Sequence, residues 1–304
     1  MTAGPPPATA RPGVAVPVLA LLLNALVWGV SWWPFRRLEA QGLHPLWSTA
    51  LIYGLSLAAL LAWRPGAWRG WSRHPLLWLL VLASGLANVG FNWAVTVGDV
   101  VRVVLLFYLM PAWSILLAWW LLGERPTPAA LARLALALIG VLIVLKTPDS
   151  PWPLPESAAD GLALMGGFAF ALTNVLLRRL SHTPEASRAL AMFGGGALLA
   201  SAVALLGMVQ GVVTPLPAPS AGWLGLAALL GLAFLAGNLA LQYGAARLSA
   251  HATALIMLSE VLFASLSAVL LGAAELSART LLGGGLVVLA AALSAWPTRA
   301  TPEA

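Results

Sequence analysis

Uncharged amides inside strongly apolar segments are the residues of this chain with the clearest capacity for chemistry. Asn88 and Asn92 lie four residues apart, and Asn238 and Gln242 repeat that spacing in the second half of the chain. Residues four apart share one face of a helix, so each pair predicts two amides that point the same way. Amides donate and accept hydrogen bonds, which suits the amino and carboxylate groups of a small solute. The alternative is interhelical hydrogen bonding, worth about 0.6 kcal/mol each.

Two further amides, Asn24 and Asn174, also lie inside apolar segments. A polar group at this depth costs free energy unless it is paired or faces water. They are candidates for the same solute site, although bonding between helices is the better interpretation for each of them.

The acidic residue Glu260 is placed deep within an apolar segment, whereas the other nine acids lie at segment ends or in loops. An ionised, unpaired carboxylate at such depth is expensive. Glu260 is therefore either a proton carrier or a neutral acid that hydrogen-bonds between helices, with a coupling role in the first case and a structural or gating role in the second.

Aromatic residues accompany these polar groups. Trp28 lies near the middle of its segment, and Trp93 and Tyr243 each follow the second amide of a pair. Stacked rings gain about 0.5–1.5 kcal/mol beyond simple burial, so a group of them can hold an aromatic side chain. For any single ring, a lipid-facing or core position is the alternative.

Tyr108 stands three residues before Pro111. Because proline has no N–H, it frees a carbonyl one turn earlier in a helix, and membrane helices tolerate such breaks where a neighbour satisfies that carbonyl. Tyr108 is the leading site candidate on this helix and Pro111 a gating candidate. Met257 is a site candidate on the corresponding helix of the second half.

The elements that carry these residues are long apolar segments. Of the 304 residues, 61% are hydrophobic and 9% charged, with mean hydropathy +0.91, against about 25% charged in soluble domains. A membrane-spanning helix needs roughly 20 apolar residues. Ten segments meet this need and predict an all-α integral membrane protein with ten transmembrane helices: 14–35, 44–63, 75–97, 101–122, 129–146, 161–180, 187–210, 221–246, 251–272 and 279–296.

The ten segments divide five and five around a proline-rich stretch. The predicted order is a disordered lead-in at 1–13, a first five-helix repeat at 14–146, a linker at 147–157, a second repeat at 158–297 and a cytoplasmic tail at 298–304. Five is odd, so the second repeat is inverted relative to the first. Inverted repeats enclose a central cavity at their interface, which is the plan of secondary transporters.

Charge and cysteine content exclude other classes. The chain has no cysteine, and its four histidines lack metal-ligand spacing, so neither a metal nor a cofactor is expected. The net charge of +6 is scattered rather than clustered, which argues against nucleic acid as a partner. Most of the 16 Lys and Arg residues fall on one side of the membrane if both termini are cytoplasmic.

Several short motifs resemble the EamA-type carriers of the drug/metabolite transporter superfamily. They are Trp28-Gly29-x-Ser31, Tyr108-Leu-Met-Pro111 and Leu121-Leu-Gly-Glu-Arg125. Residues 259–264 resemble a Glu-Pro-Val-Phe segment of the second half, with Val261 in place of proline. Residues 107–114 are most similar to the aromatic amino acid exporter branch, the YddG branch, where Tyr-Leu-Trp-Pro is typical and this chain has Met110 in place of the tryptophan.

The resemblance implies a ten-helix basket in the bacterial inner membrane that exports small amphipathic metabolites, with aromatic amino acids as the first expectation and a single chain as a sufficient unit. Because the family carries a glutamate at the position of Glu260 across unlike substrates, it favours a structural or gating role there. A multidrug or other metabolite exporter of the superfamily is the alternative. A membrane enzyme would need convergent nucleophiles, bases or metal ligands, which this sequence lacks, and a non-transporting scaffold would leave the buried amides unexplained.

Overall fold

The computed structural model describes residues 15–69, 71–123, 125–145, 155–180, 182–245, 247, 256–257, 259–275 and 277–295. Within these ranges the regular elements are helical. They are α1 (Ala15–Val30), α2 (Trp32–Ala40), α3 (Pro45–Trp63), a short 3₁₀ turn (Trp71–Arg73), α4 (Leu76–Val97), α5 (Val100–Phe107), α6 (Met110–Leu122), α7 (Pro128–Leu145), α8 (Ala158–Arg179), α9 (Glu185–Val209), α10 (Ala221–Ala245), α11 (Ser259–Leu270) and α12 (Ala278–Ala295).

Among the described residues, seven stretches are long and apolar enough to cross a membrane. They are Ala15–Ala40, Pro45–Trp63, Leu76–Val97, Val100–Leu121, Ala158–Arg179, Glu185–Val209 and Ala221–Leu241. Three shorter apolar helices, Pro128–Val144, Ser259–Leu270 and Ala278–Ala290, fall where the sequence predicts the fifth, ninth and tenth spans. The all-helical membrane architecture is thus confirmed for the described residues, whereas the count of ten spans stays a prediction.

Two of the long stretches are interrupted, which the segment pattern does not show. The first stretch breaks at Ser31, between α1 and α2. The fourth breaks at Tyr108 and Leu109, between α5 and α6, because Pro111 in the first turn of α6 has no N–H to continue the ladder. The second break puts Tyr108 at the end of α5 rather than inside a continuous helix.

The helix starts follow local chemistry. Ser157 caps α8 by accepting a hydrogen bond from the backbone N–H of Asp160 at 3.1 Å. Asp99 caps α5 by accepting from Arg102 N at 2.7 Å. His44 precedes α3 and accepts from Leu46 N through Nδ1 at 3.2 Å, with Pro45 as the first helical residue. Each cap satisfies an N–H that the first helical turn would otherwise leave unpaired.

The helices pack mainly across the two halves of the chain. α4 packs on α8 and α9, α1 on α10 and α11, α3 on α9 and α10, and α7 on α12, while α5 and α6 pack on α8. The packed pairs correspond when α1 and α2 together are matched with α8, α3 with α9, α4 with α10, α5 and α6 together with α11, and α7 with α12. The pairs α3·α9 and α7·α12 then correspond to themselves.

The α7·α12 crossing is reciprocal at the level of single glycines. A Cβ placed on Gly140 would lie 2.6 Å from the carbonyl oxygen of Gly283, and one placed on Gly283 would lie 2.6 Å from that of Gly140. No side chain fits at such distances, so only glycine allows this approach, as in other membrane helix pairs that are joined at small residues.

The centre of the molecule is formed by α5. Its side chains are buried except for Arg102 at its first turn, and they lie in a hydrophobic cluster with residues of α4, α7, α8, α11 and α12.

Candidate functional site

Glu260 and Tyr108 meet at the contact of α5 with α11. The Tyr108 hydroxyl lies 3.1 Å from Glu260 Oε2 and 3.3 Å from the carbonyl oxygen of Met257. Both side chains are buried. The structure therefore brings together three of the sequence candidates. Tyr108 belongs to the first half of the chain, and Met257 and Glu260 belong to the second.

Asn24 extends this cluster onto α1. Its Nδ2 donates to the sulfur of Met257 at 3.6 Å, and its Oδ1 is buried with no hydrogen-bond partner among the residues that the structure describes. Gly29, one turn further on α1, lies so close to α11 that a Cβ there would be 2.8 Å from the Glu260 carbonyl oxygen. A buried amide oxygen without a donor is costly, so this oxygen is a candidate acceptor for a hydrogen bond from a ligand.

Trp28 lies at the meeting point of the two halves. Its ring makes edge-to-face contacts with Phe91 of α4, with centroids 5.9 Å apart, and with Phe234 of α10, with centroids 4.6 Å apart. Phe91 continues to Phe107 at 4.7 Å and Phe234 to Tyr53 at 6.1 Å. We call these five rings, which come from α1, α3, α4, α5 and α10, the aromatic row.

Within the aromatic row only Trp28 is half-buried, while the other four rings are buried. A partly exposed ring beside packed rings offers a surface on which an aromatic or apolar solute can stack. Phe91 and Phe234 were not among the sequence candidates, since a phenylalanine in an apolar segment carries no pattern that separates it from core residues.

The first amide pair bonds to a pair of hydroxyls on α3. Asn88 Oδ1 accepts from the Tyr53 hydroxyl and its Nδ2 donates to Ser84 O at 2.8 Å. Asn92 Nδ2 donates to Thr49 Oγ1 at 3.2 Å, and its Oδ1 is buried without a partner. Because Thr49 and Tyr53 are themselves four residues apart, the contact is a two-rung ladder between helices. This arrangement favours the interhelical interpretation for Asn88 and leaves one free acceptor on Asn92.

The second amide pair is described only in part. Asn238 is half-buried and donates from Nδ2 to Phe234 O at 3.3 Å. The side chain of Gln242 lies outside the described residues. Tyr243 is 39% exposed and its ring lies 3.8 Å from the guanidinium of Arg247, near the end of α10 and not beside Trp28.

Three other candidates lie apart from the aromatic row or are only partly described. Trp93 makes an edge-to-face contact with His44 at 5.3 Å and packs in the cluster of Leu46 and Ala200, between α3 and α9. Asn174 on α8 is exposed. Pro111 lies in the first turn of α6, and its side chain is outside the described residues. None of these placements tests the solute-binding or gating roles predicted for these residues.

The end of the bundle where α2 and α4 finish carries paired charges that the sequence did not single out. Arg102 bonds Asp160 at both ends of its guanidinium, with Nε to Oδ1 and Nη2 to Oδ2 each 2.9 Å, and donates from Nη1 to Val144 O at 3.0 Å. Arg36 donates to the carbonyls of Val95 at 3.3 Å and Thr96 at 3.1 Å, and also to that of Gly98. We call this region the Arg102 end.

In the part of the chain that the structure describes, no group of three or more His, Cys, Asp or Glu side chains is placed to hold a metal ion. Asp160 and Glu156 at the Arg102 end form ion pairs with Arg102, and Glu260 accepts a hydrogen bond from the Tyr108 hydroxyl. The site is thus made of amides, a phenol, a carboxyl and aromatic rings.

These features define a multi-pass helical membrane protein with a polar and aromatic interior at the junction of its halves. The model of the EamA-like transporter family matches the chain twice, over residues 15–146 and 157–296. Since these two matches cover most of the chain, the protein belongs to the EamA-like transporter family, as the motifs predicted. The narrower resemblance to the aromatic amino acid exporter branch stays a prediction.

Two curated proteins are similar to parts of the chain. The uncharacterized transporter PA0485 of Pseudomonas aeruginosa is 30% identical over 139 residues, which are 42% of this chain and 45% of that protein. Protein RarD of Streptomyces exfoliatus is 27% identical over 170 residues, 51% of this chain and 49% of that protein. The chain spans about half the length of the curated relatives it matches.

A solved crystal structure is similar over the whole fold. The similarity covers 92% of this chain and 96% of the other, with a TM-score of 0.55 and 20% sequence identity. At this identity the likeness shows the shared fold alone.

Proposed function

We propose that this protein exports small amphipathic metabolites, aromatic amino acids first, across the bacterial inner membrane by alternating access. The observation that carries the proposal is the half-buried ring of Trp28, which contacts Phe91 of the first half and Phe234 of the second. A solute that stacks on Trp28 lies against a ring that is itself packed on both halves. A change in how the halves pack therefore changes the solute's surroundings.

The polar groups beside Trp28 suit an amino acid. The free Oδ1 of Asn24 lies one turn from Trp28 on α1 and accepts a hydrogen bond, so it matches an ammonium group. The Asn92 Oδ1, one position from Phe91 on α4, is a second free acceptor. An aromatic amino acid would place its ring on Trp28 and its ammonium group near these oxygens. It would thus use one apolar and one polar contact, as an amphipathic solute does.

The inverted-repeat architecture is supported by three observations. The family model matches two consecutive stretches, the packed helix pairs exchange between the halves, and Gly140 and Gly283 contact each other reciprocally. A site at the interface of such repeats near the bilayer midplane is the plan of secondary transporters. A single chain supplies both halves, so we propose that a monomer is the working unit.

The orientation follows from the distribution of basic residues. With both termini cytoplasmic, the positive-inside rule is satisfied and the Arg102 end faces outward. We therefore propose that the Arg102 end lies at the outer face of the membrane.

The test is flux into liposomes that contain the pure protein. We expect saturable uptake of labelled Phe and Trp, slower uptake of Leu and none of Asp. Trp28→Ala should raise the KM for Phe about tenfold, because loss of one aromatic contact costs roughly 1 kcal/mol or more, while Trp28→Phe should keep part of the affinity.

The matched control is Trp120→Ala on α6, which removes a ring that is 79% exposed and should leave the KM unchanged. An equal effect of the two alanine variants would contradict the role of Trp28. Flux of a quaternary ammonium dye without amino acid flux would favour the multidrug alternative, and no saturable flux of any solute would refute transport of this kind.

A further inference from the structure

The Tyr108 hydroxyl faces two acceptors but carries one hydrogen. Glu260 Oε2 lies at 3.1 Å and Met257 O at 3.3 Å. If Glu260 is ionised, its charged oxygen takes the hydrogen, since hydrogen bonds to ionised acceptors are the stronger ones. Met257 O then loses the Tyr108 hydroxyl as a donor.

Protonation of Glu260 removes this conflict. A carboxylic acid has its own O–H, which can donate to the Tyr108 oxygen at the same distance of 3.1 Å. The Tyr108 O–H is then free to donate to Met257 O. The protonated state thus keeps both contacts of the Tyr108 hydroxyl, whereas the ionised state loses the one to the Met257 carbonyl.

No positive charge among the described residues opposes Glu260. α11 packs against α1 and α5, and Trp32 of α2 donates to Ser267 further along α11. α1 and the rest of α11 carry no charged residue, and Tyr108 is the titratable group of α5 that faces Glu260. The charged residues of these neighbouring helices are Arg102 of α5 and Arg36, Arg37 and Glu39 of α2.

Of these charged residues, Arg36 and Arg102 form hydrogen bonds at the Arg102 end and not with Glu260. Arg36 donates to carbonyls at the end of α4 and Arg102 is paired with Asp160. A buried carboxylate without a cation is disfavoured relative to its neutral form. The surroundings of Glu260 therefore favour a bound proton, and a proton can leave only when water reaches the site.

The switch of the Tyr108 hydrogen bond is connected to the solute site. Met257 is also the partner of Asn24, and the Glu260 backbone touches α1 at Gly29, next to Trp28. A change in the hydrogen bond between Tyr108 and Met257 therefore affects the segment of α1 that carries Asn24 and Trp28.

We propose that Glu260 is a proton-binding site of this carrier, and that a proton bound there moves the Tyr108 hydrogen bond from the Glu260 carboxylate to the Met257 carbonyl. The proton comes from water on one side of the membrane, forms an O–H bond at Glu260, and returns to water on the other side. The proposal rests on the transport function proposed above and adds its coupling ion.

Proton binding is measured first without any solute. Infrared difference spectra of the purified protein between high and low pH report the carbonyl stretch of protonated carboxylic acids. We expect a band that is lost in Glu260→Gln and kept in Glu39→Gln, which neutralises an exposed acid at the end of α2. A band that survives unchanged in Glu260→Gln would overturn the proposal.

Tyr108→Phe tests the switch itself, since it keeps the ring and removes the hydroxyl. The Glu260 band should remain, but its pH midpoint should move by at least half a pH unit. The reason is that the Tyr108 hydroxyl, which hydrogen-bonds the carboxyl of Glu260 in both its protonated and its ionised form, is gone. An unchanged midpoint would show that Tyr108 does not sense the proton. Tyr108 is thus a positioning residue, and its readout is a pH profile rather than the presence of the band.

Coupling is then measured by labelled Phe flux in liposomes, with a pH gradient and, separately, by exchange without a gradient. In Glu260→Gln we expect gradient-driven accumulation to fall at least tenfold while exchange continues. Equal accumulation in Glu260→Gln and the unaltered protein would overturn coupling at Glu260. If the unaltered protein moves no solute in either assay, the proposed transport function fails, whereas the infrared result still decides whether Glu260 binds a proton.

Discussion

The Arg102 end and the interior around Asn24 differ in how completely their polar groups are paired. At the Arg102 end, Arg102 has two carboxylate contacts and one carbonyl, and Arg36 serves the last carbonyls of α4. In the interior, the Oδ1 atoms of Asn24 and Asn92 have no donor, and one hydroxyl serves two acceptors at Tyr108.

This difference separates polar groups that stabilise the fold from polar groups that are proposed to bind a ligand. Cations at a helix C-terminus are favourable because they meet the unpaired carbonyls and the negative end of the dipole. Arg36 and Arg102 find their hydrogen-bond acceptors within the protein in this way. Buried acceptors without donors cost free energy and are kept where another partner arrives. The Arg102 end therefore holds one side of the bundle together, and the interior keeps the acceptors that the proposed solute and proton would use.

The largest effect should come from breaking the Arg102 end. Asp160→Ala leaves the half-buried guanidinium of Arg102 without its bidentate partner, and loss of one member of a buried ion pair costs about 3–5 kcal/mol. We expect the lower part of that range, since the Arg102 side chain is 18% exposed. The free energy of unfolding, measured by denaturant titration in detergent micelles, checks this.

The matched control is Glu156→Gln. Glu156 Oε2 is 3.9 Å from Arg102 and its side chain is 39% exposed, and exposed pairs contribute about 0–1 kcal/mol. If Asp160→Ala and Glu156→Gln lower the stability equally, the bidentate pair is not what holds the Arg102 end.

A smaller effect on stability, with a clear effect on transport, is expected for Asn24→Leu. This change removes an unpaired acceptor and its weak bond to sulfur, so the free energy of unfolding should change by less than about 1 kcal/mol or rise slightly. The KM for Phe should increase, because the acceptor for the solute's ammonium group is lost. Unfolding in detergent and flux in liposomes give the two numbers.

Asn88→Leu sharpens this result, since Asn88 uses both its oxygen and its nitrogen within the protein. Its loss leaves the buried Tyr53 hydroxyl without an acceptor, which costs about 1–3 kcal/mol. Should Asn24→Leu destabilise the protein as much as Asn88→Leu does, the distinction between paired and unpaired amides would be wrong.

The sequence predicted what depends on a single helix. Apolar length gave the helical membrane architecture, and the spacing of Asn88 and Asn92 placed both on one face, where the structure finds the α3 hydroxyls. Burial of Glu260 and Tyr108 followed from their depth in apolar segments. These properties are local, because 3.6 residues per turn fix which side chains share a face.

Contacts between helices were beyond that reasoning. The pairing of Tyr108 with Glu260, the row of Phe91, Trp28 and Phe234, and the bond of Arg102 to Asp160 depend on how helices cross, which spacing along one helix does not contain. The break before Met110 is different, since the missing N–H of Pro111 can be read from the sequence. Tyr243 resembled Trp93 by position, yet it lies beside Arg247 at a helix end, because repeats that align in sequence do not need to share their side-chain surroundings.

The smallest expected effect concerns the titratable cap at the Arg102 end. Burial lowers the pKa of His44 below its usual value, which fits an imidazole whose Nδ1 accepts a hydrogen bond from Leu46 N. A lowered pKa means that the neutral form stabilises the fold. This contribution is complete above the unfolded value of about 6.5 and is lost as the pH falls through the lower folded value.

The thermal midpoint of the protein in detergent, followed from pH 8 to pH 5, measures this. His44→Asn keeps an acceptor at the cap but does not titrate, and an N-cap contributes about 1 kcal/mol. The unaltered protein should lose more stability than His44→Asn between pH 7 and pH 5, whereas the pH dependence of transport should be the same in both. A change in the transport profile would mean that a group at the Arg102 end takes part in proton coupling, and the separation between a structural end and a responsive interior would then fail.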